Sequence, residues 1–203
     1  MTYDTMSHMS SDAEKFHAAI TAFDAANAQD PTQIAGVPAE LLYSRRMTDW
    51  LNRLYPDAGE LLHLAARSQH IRRWMVPRSK YPMTRPGYHQ WRTYLYSFHA
   101  DTAAEIMKQA GYDDPAIARV RSLLKKEKLK SDPETQMLED VVCLVFLESY
   151  FADFAARHDD QKIIGILRKT WAKMSHTGQA AALTLKLSSV AQRLVKAALD
   201  GTS

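Results

Sequence analysis

Between Asp132-Pro133 and Arg157 the chain places Met137, Leu138, Val141, Val142, Leu144, Val145, Phe146 and Leu147 on nearly every side of one helix. Such a helix is stable in water only when other elements bury it all round, so this segment predicts a core helix with neighbours on each face. The remaining sequence supplies those neighbours in helical periodicity. Apolar residues recur at three- and four-residue spacing over about 11–28, 38–55, 58–74, 88–110, 115–127, 159–174 and 178–199. The expected start signals are Ser11-Asp12-Ala13-Glu14 as a capping box, proline after aspartate at Asp114-Pro115 and Asp132-Pro133, and Asp159. Gly111 suits a left-handed helix end. No segment reads as a strand, so the expected fold is an all-α, single-domain helical bundle, with residues 1–10 as a flexible N-terminus and 11–203 as the domain.

The 203 residues, 46% of them hydrophobic, fall within what one core can serve. The single cysteine, Cys143, sits in an apolar run, which rules out an intramolecular disulfide and predicts a buried, inert thiol. Residues 1–10 lack the apolar stretch of a signal peptide, and no later run has the length of a membrane span. The expected location is the cytoplasm, with no membrane partner.

A net charge of +3 is too small to mark a nucleic-acid binder, and neither a strand platform nor an RNA-binding motif is present. The distribution of charge says more. From Leu61 to Ala100 there is no Asp or Glu, yet Arg67, Arg72, Arg73, Arg78, Lys80, Arg85 and Arg92 all fall there, interleaved with Trp74, Tyr81, Tyr88, Trp91, Tyr94 and Tyr96. Within it, Met75 to Pro86 carries three prolines and must be a loop. Guanidinium forks and aromatic faces together suit a small anionic ligand, and the expected ligand-binding set is Gln69, Arg67, Arg72, Arg73, Arg78, Lys80 and Arg92. The competing reading is a solvated face whose arginines pair with Glu139, Asp140, Glu148 and Asp153.

Three residues stand out as chemically able. His99 follows the inward register of Leu95, Ala103 and Ile106; Asp140 sits among Met137, Val141 and Leu144, where an ionised carboxylate calls for a cation or a metal; His70 follows the Ala65-Ala66 pair. The plain alternative is a hydrogen-bonded core histidine and an Asp140–arginine pair.

The stretch Leu64-Ala65-Ala66-Arg67-Ser68-Gln69-His70-Ile71 resembles the metal-ligating motif of HD-domain phosphohydrolases. Phe98-His99-Ala100-Asp101 and Glu134 to Leu144 resemble its later segments, over about residues 43–150. That resemblance implies an HD-like core and assigns His70, His99 and Asp140 as catalytic and as ligands of a divalent transition metal. The implied activity is metal-assisted hydrolysis of a phosphorylated or nucleotide-like metabolite. Gln69 stands where the motif has its histidine, His70 where it has aspartate, and no histidine lies near Tyr43 to Met47, so two of four ligands are replaced and weak metal binding is expected. A non-catalytic ligand-binding or regulatory module that has lost the metal is the alternative. The phrases Ala66-Arg67-Ser68-Gln69-His70-Ile71-Arg72-Arg73-Trp74, Pro77-Arg78-Ser79-Lys80-Tyr81-Pro82-Met83 and Leu138-Glu139-Asp140-Val141-Val142-Cys143 also resemble domain-of-unknown-function family 4202. That second resemblance implies no activity.

Overall fold

A computed structural model describes the backbone of residues 3–200 and the side chains of residues 12–200. The architecture is all-α, apart from one tiny hairpin. In chain order the elements are α1 (Tyr3–Asn27), β1 (Gln33–Ile34), β2 (Val37–Pro38), α2 (Ala39–Leu54), α3 (Glu60–Ser68), α4 (Arg85–Gln109), α5 (Asp114–Leu124), α6 (Pro133–Ser149), α7 (Phe151–Ala155), α8 (Asp160–Trp171), α9 (His176–Leu183) and α10 (Ser189–Leu199).

Several ends differ from the periodicity reading. Helix α1 begins upstream of Ser11, so Ser11-Asp12-Ala13-Glu14 lies inside it and does not start it. The hairpin, which no alternation of residues announced, turns through Ala35 and Gly36, both at positive φ, and pairs Ile34 with Val37. Helix α3 stops at Ser68, well before Trp74, and the chain continues through a turn with Arg72 at φ 51° into a 3₁₀ turn at Arg73–Met75. Residues 133–157 form two helices, because the backbone breaks at Tyr150 (φ −128°, ψ −17°).

Two caps are side-chain devices. Asp113, one residue ahead of the expected position, accepts from Ala116 N–H; Asp132 accepts from the N–H groups of Glu134 and Thr135. Each satisfies donors that a helix start leaves unpaired, which is worth about 1 kcal/mol. Gly111 takes the left-handed conformation at φ 91°.

The chain divides into two compact units, residues 1–49 with 57–127 and residues 50–56 with 128–203. In the first, α1, α3, α4 and α5 pack on one another around Phe23, Met47, Leu62, Leu64, Ala65, Met107 and Leu123, all removed from solvent. In the second, α6 packs against α7 and α9, and α10 against α7 and α8. Leu138, Glu139, Asp140, Val141, Cys143, Leu144 and Val145 of α6 are all buried, as an all-round apolar helix requires. Among the described residues no helix is long and apolar enough to cross a membrane.

Candidate functional site

In the first unit, the turn that ends α3 brings together the chemistry that the sequence spread over sixty residues. Gln69 and His70 leave the helix, Arg73 follows one 3₁₀ turn later, and α4 presents His99 to the same turn. The His70 ring stacks on Tyr43 from α2, with centroids 3.9 Å apart and planes 12° off parallel, and its centroid is 5.8 Å from that of His99.

His70 is held from both sides. Arg73 NH1 donates to His70 Nε2 at 3.0 Å, while His70 Nδ1 stands 3.5 Å from Glu40 Oε2. A guanidinium has only donors, so Nε2 must be the bare nitrogen and the ring proton sits on Nδ1, facing the carboxylate. Burial first, then the Arg73 guanidinium, the competing protonation of neighbouring His99, and the positive fields of Lys126 and Arg92 hold the His70 pKa well below the ordinary histidine range. Arg73, Lys126 and Arg92 thus bring positive charge to the ring, and Arg73 also lies over the Trp91 ring at 4.8 Å.

His99 is a buried neutral imidazole. Nδ1 donates to the Ile71 carbonyl at 2.9 Å, which fixes the tautomer and leaves Nε2 as a lone pair without a partner. Burial pushes its pKa down to about 3. Two further buried atoms are likewise unmatched, Gln69 Oε1 in the turn and Nδ2 of Asn27 at the end of α1, whose Oδ1 accepts from Arg72 N–H at 3.0 Å.

Glu40, which sequence reasoning passed over, completes the cluster. Its Oε1 lies 4.0 Å from Arg73 Nε, and Asp30 fixes the start of its helix by accepting the Glu40 and Thr32 N–H groups. Burial raises the Glu40 pKa to about 7; Arg73 works against the shift and Asp30 with it. The only sequence signal was an acidic residue in the first turn of α2, a common surface feature with no motif around it.

The other expected ligand-binding residues separate into distinct roles. Arg67 is spent on Asp24, with Nε and NH2 donating to the two carboxylate oxygens at 2.7 and 2.6 Å and NH1 to Thr48 Oγ1. Arg78 ties the proline-rich loop together by donating to the carbonyls of Tyr81, Pro82 and Thr84. Gly87 lets that loop approach α4, since a Cβ there would meet the Pro82 carbonyl oxygen at 2.1 Å. Arg92 donates to the hydroxyls of Tyr88 and Tyr96, and Lys80 is exposed. Arg72 contributes its backbone N–H to Asn27.

Asp140 belongs to the second unit. The expected cation or metal partner is replaced by neutral donors: Tyr55 OH and Ser175 Oγ donate to Oδ2 at 2.6 and 2.5 Å, and Ser175 N–H and Gln136 Nε2 donate to Oδ1 at 2.8 and 3.1 Å. Four hydrogen bonds can hold a buried carboxylate without a counter-charge. Gly178 is needed here, because a Cβ would come within 2.7 Å of the carboxylate. Asp140 thereby fastens the end of α2 and the start of α9 to α6.

As a metal site the implied trio does not fit. Both ring nitrogens of His70 and both oxygens of Asp140 are engaged, and a guanidinium beside a nitrogen repels a cation. Only His99 Nε2 keeps a lone pair. Among the described residues no group of three or more His, Cys, Asp or Glu side chains could hold a metal ion.

Fold and site together define an all-α protein with a histidine–glutamate–arginine cluster around the turn after its third helix. The chain belongs to the family described as domain of unknown function DUF4202, whose model matches residues 17–195. No curated protein and no solved structure matches it.

Proposed function

We propose that this chain is a divergent HD-like protein whose first unit binds a small anionic metabolite, phosphorylated or nucleotide-like, at the cluster of Arg73, His70 and His99. The observation that carries this reading is the convergence of Arg73, Arg92 and Lys126 on His70, whose pKa their fields depress along with burial. The positive fields that oppose a proton on His70 favour an anion for the same electrostatic reason, although burial, the larger cause of the shift, does not. The HD resemblance supports the position of the site, and the engaged metal-ligand positions favour the binding-module alternative over the metallohydrolase. Thermal-shift screening of phosphorylated metabolites tests it. A ligand at a hundred times its Kd stabilises by about 2.7 kcal/mol. Arg73→Ala should abolish that gain, and a hit that binds Arg73→Ala unchanged places the site elsewhere.

The hydrolase reading has one observation in its favour, the bare Nε2 of His99. A lone pair in an anion pocket can accept a proton from an attacking water. A pKa near 3 makes it a weak base at neutral pH, so binding is the stronger reading. Turnover of any thermal-shift hit that His99→Gln eliminates, with binding retained, would restore the enzyme.

A further inference from the structure

The anion pocket leaves three atoms unaccounted for. His99 Nε2, Gln69 Oε1 and Asn27 Nδ2 have no hydrogen-bond partner, and His99 (3% exposed), Gln69 (4%) and Asn27 (0%) are buried. All three side chains border the same four-residue turn. Gln69 is its first residue, His99 is anchored on the Ile71 carbonyl, and Asn27 on the Arg72 N–H. Leaving such atoms unmet is costly, and native proteins leave few buried polar groups without a partner.

Their hydrogen-bonding types are fixed. His99 Nε2 can only accept, since Nδ1 carries the proton toward Ile71; Gln69 Oε1 accepts; Asn27 Nδ2 donates, since Oδ1 is already used. The matching group must therefore offer two donors and one acceptor. An ammonium supplies donors only and would leave Asn27 Nδ2 unmet. Two adjacent hydroxyls supply two O–H donors, with an oxygen lone pair left for Asn27.

We infer that the ligand is a phosphate ester carrying neighbouring hydroxyls, its anionic end held by Arg73 and its diol read by His99 Nε2, Gln69 Oε1 and Asn27 Nδ2. The inference rests on the anion-pocket reading and narrows it from anions in general to polyhydroxylated phosphate esters. A site built to hydrogen-bond a hydroxyl discriminates strongly against the analogue that lacks it, because its own buried groups are then left unmet.

The test compares two esters of equal charge by calorimetric titration of the full chain, glycerol 1-phosphate with its diol and propyl phosphate without it. The expected result is that glycerol 1-phosphate binds at least about tenfold more tightly, and that Gln69→Leu, close to isosteric, removes most of that preference. His99→Phe should do the same; should that variant fail to fold, Gln69→Leu carries the test alone. Equal affinity of the parent for the two esters overturns the diol inference and leaves the anion pocket standing, the three atoms then being met by internal water. A preference that survives unchanged in Gln69→Leu also overturns it, because the hydroxyls would be read elsewhere. If neither ester binds, both the diol inference and the anion pocket fall.

Discussion

Arg73 NH1 and His70 Nε2 are 3.0 Å apart, and their chemistry settles the protonation of the site: the guanidinium can only donate, so the imidazole is neutral with its proton on Nδ1. An ordinary solvent-facing histidine titrates near 6.5. His70 is expected to stay neutral well below that. Arg73→Ala removes one of the fields that suppress its charge, so its midpoint should move up while remaining depressed by burial, the larger cause. Imidazole nitrogen shifts followed against pH read this directly; an unaltered midpoint in the variant would mean that the pair does not exist in solution.

Acid should destabilise the fold through His99. Its folded pKa of about 3 lies below the ordinary histidine value of 6.5, so the unfolded chain binds more protons between the two. The stability is intact above about pH 6.5 and is lost as pH falls toward 3, at up to about 1.4 kcal/mol per pH unit. Denaturant titrations of His99→Gln should show a shallower acid slope than the parent. Parallel slopes would contradict the burial of a neutral ring.

Glu40 acts in the opposite sense. Its folded pKa of about 7 exceeds the ordinary glutamate value of 4.5, so the folded chain holds the extra proton in that window. The contribution is present below about pH 4.5 and declines as pH rises through 7, by about 3 kcal/mol in all. Glu40→Gln, which keeps the shape and loses the titration, should gain on the parent as pH is raised from 5 to 8. A constant difference across that range would show an ordinary carboxylate.

In the second unit, Asp140→Asn keeps the size but turns one acceptor oxygen into a donor facing donors. It should cost on the order of 1–3 kcal/mol in chemical denaturation, because the hydroxyls of Tyr55 and Ser175 both point at that carboxylate. Leu144→Ala, wholly buried on α6, should cost about 2–5 kcal/mol. A loss below half a kcal/mol at either position would show that α6 is not the buried helix of its unit.

The helices were legible where periodicity and capping chemistry agreed. Asp132-Pro133, Asp159 and Gly111 each marked an end correctly because each acts through its own backbone neighbours. The split at Tyr150 and the early stop of α3 were not legible, since both turn on backbone angles that no Gly or Pro announces. In the site, the acid-free window pointed to Arg73, and inward register pointed to His99. The same window also offered Arg67 and Arg78, which are consumed by Asp24 and by loop carbonyls. Sequence cannot rank arginines whose partners lie on other helices or in loop geometry. Glu40 escaped for the same reason: only the fold brings it to His70.

The most direct test of the proposed anion site is to follow the imidazole nitrogens of His70 and His99 by NMR while titrating glycerol 1-phosphate into the parent chain and into Arg73→Ala. Saturable shifts of both Nε2 signals in the parent, lost in Arg73→Ala, are the expected result. Signals that stay fixed while the ester binds, or shifts that persist without Arg73, would show that this turn is not an anion site.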